Sequence, residues 1–123
     1  MNQPEWIYDW NQCGGLRAVF PKPIELCDET LRDGLQSPSV RNPPLETKLK
    51  MVQYMNDLGI TIANIGLPGA GQRASDDVQE IAQYVRDNRL KLKVNCAART
   101  TISDIEPIAR IQEDVGIPIV AYC

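Results

Sequence analysis

The sequence predicts an α/β protein in which helices cover a parallel β-sheet. Short apolar runs alternate along the chain with longer segments whose apolar residues recur every three or four positions, the spacing of one helix face. Glycine and proline separate most of these segments. Uninterrupted strand–helix alternation, with strands that are apolar throughout, is typical of a parallel sheet with right-handed crossovers.

Four apolar runs are expected to form the strands of this sheet. The first runs into a polar turn, and each of the other three follows a helical segment. The predicted strands are residues 24–28, 60–65, 92–96 and 117–122.

The first helix is predicted between the first two strands. Its apolar stripe consists of Leu45, Leu49, Val52, Met55 and Leu58. We expect Asn42 to cap this helix, with Pro43 at the first helical position, where a missing N–H is tolerated. Gly59 is expected to end the helix.

The second and third helices are predicted after the second and third strands. We expect Ser75 to cap the second helix, and the spacing of Ser103 and Glu106 predicts a capping box for the third. Gly116 is expected to end the third helix. The apolar stripes are Val78, Ile81, Ala82 and Val85 in the second helix, and Ile105, Ile108, Ala109, Ile111 and Val115 in the third.

This pattern fits either a small open doubly wound domain or part of a (β/α)8 barrel. A complete barrel needs about 250 residues, and this chain of 123 residues would supply about its first four strands and three helices. The outer strands would then be unpaired edges, and the inner sheet face would be partly uncovered. We therefore expect the chain to be a piece of a longer enzyme; the alternative is a half-barrel that pairs with a second copy.

Composition and charge argue against several classes of partner. The net charge is −3 and the chain has no basic run, so we do not expect nucleic-acid binding. No apolar stretch approaches the ~20 residues of a membrane span, and the N-terminus lacks a signal-peptide pattern. We expect a cytoplasmic protein with no membrane partner, in which Cys27, Cys96 and Cys123 are buried reduced thiols.

Residues 1–23 are predicted to form an irregular leader that precedes the catalytic domain. Prolines and glycines interrupt this segment, which also contains the aromatic residues Trp6, Tyr8, Trp10 and Phe20. Such a segment either wraps the base of the domain or forms an oligomer contact.

The chain contains no histidine. Histidine is the commonest metal ligand among side chains and the usual acid–base group near neutral pH. A mechanism that needs an imidazole therefore cannot be completed by these residues alone.

The strongest signal is a polar turn directly after the first strand. It brings an arginine, a carboxylate, a glycine and an amide close together in the sequence, at the place where α/β folds hold their chemistry. The run reads Asp28-Glu29-Thr30-Leu31-Arg32-Asp33-Gly34-Leu35-Gln36. It resembles the D-x-T-L-R-D-G-x-Q signature of the DRE-TIM metallolyase (HMGL-like) superfamily. Members include 2-isopropylmalate, homocitrate and citramalate synthases and 3-hydroxy-3-methylglutaryl-CoA lyase.

The resemblance implies that residues 24–123 form the N-terminal half of a (β/α)8 pyruvate-carboxyltransferase-like catalytic domain. Asp33 matches the carboxylate that binds a divalent metal, which would be Mg²⁺, Mn²⁺ or Zn²⁺. Arg32 matches the catalytic arginine that stabilises negative charge on a substrate oxygen. Gln36 matches a glutamine that binds substrate. The family's His-x-His metal ligands and its main acid–base residues would lie beyond Cys123.

Two more positions near the predicted site are expected to bind substrate. Family members often carry an acidic residue after the second strand, in an I-E-x-G context, and Asn64 occupies that position here. An amide forms hydrogen bonds but cannot act as a base, which favours condensation over lyase chemistry. Residues 66–71 form a glycine-rich loop that either lets substrate approach the backbone or is a plain turn. Arg99 is expected to meet a substrate carboxylate or to form a surface salt bridge.

The implied parent enzyme is a homo-oligomeric, metal-dependent acyltransferase of the 2-isopropylmalate or homocitrate synthase type. It would condense acetyl-CoA, as co-substrate, with an α-keto acid. The 123-residue chain alone is expected to be inactive. The alternatives are a carbon–carbon lyase resembling 3-hydroxy-3-methylglutaryl-CoA lyase or an aldolase, and a non-catalytic oligomerising fragment.

Overall fold

The computed structural model describes residues 22–123. Within these residues, strands and helices alternate as the sequence predicts, with boundaries that differ by a few residues. The strands are β1 (Cys27–Asp28), β2 (Ile62–Asn64), β3 (Lys93–Ala97) and β4 (Ile119–Tyr122). The helices are α1 (Leu45–Asp57), α2 (Gln72–Asp87) and α3 (Ile102–Val115). Short 3-10 turns at Gly34–Gln36 and Pro68–Ala70 follow β1 and β2.

The strands of the described residues form one parallel sheet in the order β1-β2-β3-β4. The register aligns Ala63 of β2 with Val94 of β3, and Val94 with Ile119 of β4. The predicted α/β class and the sequential parallel pairing are therefore confirmed. Because the carboxyl ends of parallel strands meet at one edge, the loops that follow β1, β2 and β3 lie side by side.

The helices of the described residues pack on one face of this sheet. Helix α2 contacts both α1 and α3. Right-handed crossovers between sequential neighbours place every helix on the same side, whereas a doubly wound sheet carries helices on both faces. The three described helices therefore form one layer on one side of the sheet. Strand residues and helix residues share one core, which includes Ala63, Val94, Cys96, Ile119, Val52, Ile81, Ile108 and Ile111.

The opposite face of the sheet is largely open to solvent. Cys27, Lys93 and Val120 lie on this face and are exposed, in register with their neighbours across the sheet. The Lys93 ammonium forms a salt bridge with Glu25 at 2.9 Å.

The predicted N-terminal caps of the three helices are wrong. Helix α1 begins after Pro44 rather than at Asn42, and α2 begins after Gly71 and therefore contains Ser75. Helix α3 begins one residue before Ser103. No side chain caps the N-terminus of these three described helices. The extended backbone of Pro44 and the φ of 134° at Gly71 turn the chain into its helices instead.

The cysteines differ in their exposure. Cys96 is buried as expected, but Cys27 and Cys123 are exposed, and the expectation of burial is wrong for both. Cys27 lies on the open face of the sheet and Cys123 follows the last strand. Burial raises the pKa of the Cys96 thiol to about 12.

Two other expectations concern the membrane and the leader. None of the helices within residues 22–123 has the length and apolar character needed to cross a bilayer. The leader expected over residues 1–23 lies outside the described residues, apart from its last two positions.

Candidate functional site

The five residues predicted for the site lie at the carboxyl edge of the sheet. Arg32 and Asp33 are in the turn after β1, and Gln36 ends the 3-10 turn that follows. Asn64 is the last residue of β2, and Arg99 follows β3 within two residues. Parallel pairing brings these strand ends to the same edge, although each side chain has its own surroundings.

The turn after β1 presents Arg32 and Asp33 together. The Asp28 carboxylate accepts a hydrogen bond from the backbone N–H of Thr30 at 2.8 Å. The carbonyl of Glu29 accepts hydrogen bonds from the N–H groups of Arg32 and Asp33 at 3.2 and 2.9 Å. These bonds fix the points at which the two side chains leave the backbone.

Two carboxylates hold the guanidinium group of Arg32. Its Nε and Nη2 donate to Oε2 of Glu29 at 3.1 and 2.7 Å. Its Nη1 donates to Oδ1 of Asp33 at 3.0 Å. Glu29 was not among the residues predicted for the site. Its spacing of three positions from Arg32, within one helical turn, was the signal that could have identified it.

Arg32 and Gln36 line one cavity of about 380 Å³. The cavity lies between the turn after β1, the loop after β2 and helices α1 and α2. Lys48, Gly66 and Arg73 also contribute to its walls. The charged side chains of this lining are Arg32, Lys48, Arg73 and Asp77.

A buried ion pair that was not predicted forms part of this wall. The Nζ of Lys48, on α1, donates to Oδ2 of Asp77, on α2, at 2.6 Å. The side chains of Lys48 and Asp77 are 6% and 19% exposed. Lys48 lies between Leu45 and Leu49 on the apolar stripe of α1. A lysine among these apolar residues could have indicated a buried ion pair with a carboxylate.

Asn64 is buried and does not line the cavity. Its Oδ1 accepts a hydrogen bond from the N–H of Gly66 at 3.3 Å. Gly66 has a φ of 149°, and a Cβ there would lie 2.7 Å from the side chain of Val78, so a glycine is required. Among the described residues, Nδ2 of Asn64 and Oδ1 of the neighbouring Asn95 are buried without a hydrogen-bond partner.

Arg99 was expected either to meet a substrate carboxylate or to form a surface salt bridge, and it forms a salt bridge with Asp104. The Asp104 carboxylate accepts hydrogen bonds from its Nε, Nη2 and backbone N–H at 2.8, 2.9 and 3.0 Å. The side chain of Arg99 is largely exposed, whereas that of Asp104 is only 1% exposed. The hydrogen bonds from the Arg99 side chain and backbone lower the pKa of Asp104 to about 2.

The described residues offer a single ligand for the implied metal rather than a complete site. Within residues 22–123 no three His, Cys, Asp or Glu side chains are placed so that they could hold one ion. The exposed Asp33 carboxylate is a hard oxygen donor of the kind that Mg²⁺ and Mn²⁺ prefer. Asp33 therefore fits the metal as one ligand, and the other ligands would have to come from elsewhere.

Comparison with known proteins supports the resemblance. The HMGL-like family model matches residues 23–121. The 2-isopropylmalate synthase of Acidimicrobium ferrooxidans is 39% identical over 84 residues, which are 68% of this chain and 15% of the relative. The 2-isopropylmalate synthase of Stenotrophomonas maltophilia is 36% identical over 102 residues, 83% of this chain and 19% of the relative. The homocitrate synthase AksA of Methanosarcina acetivorans is 34% identical over 97 residues, 79% of this chain and 22% of the relative.

These matches agree with the motif, the parallel sheet and the placement of Arg32 and Asp33 at its carboxyl edge. The chain spans only 15–22% of the length of these three relatives. The family model covers nearly all of the described residues. The chain therefore belongs to the HMGL-like family.

Proposed function

We propose that this chain is part of a metal-dependent acyltransferase that condenses acetyl-CoA with an α-keto acid. The observation that carries the proposal is the pairing of Arg32 with Asp33 beside a cavity that Gln36 also lines. The names of the relatives, 2-isopropylmalate synthase and homocitrate synthase, support the same class of reaction.

In this proposal, the residues of the turn have separate roles in metal binding, charge stabilisation and substrate binding. Asp33 would hold a divalent cation, which when bound acts as a Lewis acid on the keto acid. Arg32 would stabilise the negative charge that develops on the substrate oxygen, because a fixed guanidinium is most effective in a site that excludes water. Gln36 would donate a hydrogen bond from the cavity wall to the substrate.

Asn64 and Arg99 have supporting roles in the proposal. Asn64 fixes the backbone at Gly66 and presents a neutral amide where an acidic residue would add charge. A neutral amide cannot remove a proton, so the base would come from outside residues 22–123. Arg99 donates to Asp104 through Nε and Nη2, and its Nη1 would meet a substrate carboxylate.

The proposal extends to the surroundings of the site. The described sheet would be the first half of a (β/α)8 barrel, whose other strands cover the open face of the sheet and whose later residues complete the metal site. The parent would be a cytoplasmic homo-oligomer.

A chimeric enzyme tests the proposed function. Residues 23–121 would replace the matching segment of the Stenotrophomonas maltophilia 2-isopropylmalate synthase, which is 36% identical over 102 residues. The assay measures free CoA thiol with acetyl-CoA, a panel of α-keto acids and Mn²⁺. We expect thiol release only when acetyl-CoA and a keto acid are both present.

The control is the same chimera with Asp33→Asn, which keeps the size of the side chain and removes its charge. This control should lose thiol release. A folded chimera that releases no thiol but cleaves an acyl-CoA would support the lyase alternative and contradict the proposal.

A further inference from the structure

Glu29 contacts Arg32 through both its backbone and its side chain. Its carbonyl accepts hydrogen bonds from the backbone N–H groups of Arg32 and Asp33, and these bonds close the turn. Its carboxylate forms a salt bridge with the guanidinium group at 2.7 Å, at a spacing of three residues. One residue therefore fixes both the turn and the position of the arginine side chain.

Glu29 and Asp33 share a single positive charge. Oε2 of Glu29 accepts from Nε and Nη2 of Arg32, and Oδ1 of Asp33 accepts from Nη1. All three nitrogens of the guanidinium are thus engaged. Because arginine keeps its charge at any ordinary pH, the cluster of three side chains has an excess of one negative charge.

The two carboxylates do not hold Arg32 equally. The Glu29 and Arg32 side chains are 36% and 22% exposed, and two hydrogen bonds join them, the shorter at 2.7 Å. Asp33 is 70% exposed and makes one hydrogen bond at 3.0 Å. Exposed single contacts of this kind are the weaker ones. Asp33 is therefore the partner that can exchange Arg32 for another cation.

We infer that Glu29 is a positioning residue that retains Arg32 and so leaves the Asp33 carboxylate available to a divalent cation. The inference rests on the proposed role of Asp33 as a metal ligand. With Glu29 neutralised, Asp33 is the remaining carboxylate in contact with Arg32 among the described residues, and their pair tightens. A divalent cation must then displace the guanidinium before it binds Asp33.

A double-mutant cycle with Mn²⁺ as the probe tests this inference in the chimeric enzyme described above, because the residues outside 23–121 then come from a complete relative. The chimera with residues 23–121 unchanged is the wild type of this cycle. Electron paramagnetic resonance of free Mn²⁺ gives the bound fraction, and the Asp33→Asn variant defines the binding that does not depend on Asp33. The cycle consists of wild type, Glu29→Gln, Arg32→Met and the double variant. Glutamine at position 29 keeps the backbone carbonyl that closes the turn.

We expect Glu29→Gln to weaken the Asp33-dependent affinity for Mn²⁺ when Arg32 is present. In the Arg32→Met background Glu29→Gln should also weaken the affinity for Mn²⁺, but by a smaller factor. The two factors should differ by about threefold or more, as is common for residues in contact. Equal losses in both backgrounds would overturn the inference, because they would show only the removal of a negative charge. Mn²⁺ binding in wild type that is unchanged by Asp33→Asn would instead overturn the metal role of Asp33, and the inference with it.

Discussion

The carboxylate of Asp104 lies directly against the backbone of Gly69. A Cβ placed on Gly69 would be 2.6 Å from Oδ1 and 2.7 Å from Cγ of Asp104. Gly69 belongs to the 3-10 turn after β2, and Asp104 to the first turn of α3. Because Asp104 also holds Arg99, this contact joins the loops that follow β2 and β3 into one packed unit at the carboxyl edge of the sheet.

The first prediction is that Gly69→Ala destabilises the fold. The added methyl group must displace a buried carboxylate that makes three hydrogen bonds, and overpacking of this kind costs about 1–3 kcal/mol. The measurement is the urea-induced unfolding midpoint. Gly34→Ala is the matched control, since a Cβ there would meet only ordinary contacts at 3.7 Å or more. A normal midpoint for Gly69→Ala would show that the loop moves away freely.

The second prediction concerns pH and Asp104. Its pKa in the folded chain is lowered from 3.8 to about 2, chiefly by the hydrogen bonds from Arg99. A lowered pKa in the folded state contributes stability above the unfolded pKa, and this contribution is lost as the pH falls toward the folded pKa. The stability advantage of wild type over Asp104→Asn should therefore shrink between about pH 4 and pH 2.

Chemical unfolding at several pH values in this range measures that advantage. Glu113→Gln serves as the control, because Glu113 is an exposed carboxylate on the same helix. A difference between wild type and Asp104→Asn that does not change with pH would contradict the prediction.

The third prediction concerns thiol reactivity. Burial raises the pKa of Cys96 to about 12, and the pKa of Cys27 is also raised, first by desolvation and then by the charges of Glu29 and Asp28. Near pH 8, iodoacetamide should label the exposed Cys27 and leave Cys96 unmodified until the chain unfolds. Glu29→Gln should speed labelling of Cys27, because removal of a nearby negative charge favours the thiolate.

Mass spectrometry of peptides from a labelling time course gives the rate for each cysteine. Cys96 is the internal control for the Glu29→Gln variant, since its buried surroundings do not involve Glu29. Labelling of Cys96 at the rate of Cys27 in the folded chain would contradict the packing of the core.

Local sequence patterns predicted the order of elements but not the starts of the helices. Periodicity located each strand and helix, and Gly59 and Gly116 end their helices with positive φ, as expected. The predicted N-terminal caps were wrong because no side chain forms a capping hydrogen bond at the start of these three described helices. Pro44 and Gly71 set the backbone direction at the starts of α1 and α2 instead.

The features of the site that the sequence did not predict are contacts between residues that are far apart in the chain. Lys48 and Asp77 are 29 positions apart, and only the packing of α1 against α2 brings them together. The contact between Gly69 and Asp104 likewise depends on how two loops meet. The motif placed Arg32 and Asp33 in one turn because their contact is local, and this is also why their pairing could be anticipated.

The last prediction uses the unequal burial of Lys48 and Asp77. Asp77→Ala leaves the Lys48 ammonium unpaired at 6% exposure, and breaking a buried pair in this way costs about 3–5 kcal/mol. Lys48→Met removes the more buried charge, leaves an Asp77 carboxylate at 19% exposure that water can reach, and keeps an apolar side chain in the wall. We therefore expect Asp77→Ala to lower the free energy of unfolding more than Lys48→Met does.

Denaturant unfolding of both variants and of the double variant measures this order. Asp76→Ala is the matched control, because Asp76 is the exposed neighbour on α2 and should change the free energy of unfolding by no more than about 0.5 kcal/mol. The double variant should be more stable than Asp77→Ala alone, since it contains no unpaired buried charge. If Lys48→Met is the more damaging single change, the unpaired Asp77 carboxylate costs more than the unpaired Lys48 ammonium, and the prediction is wrong.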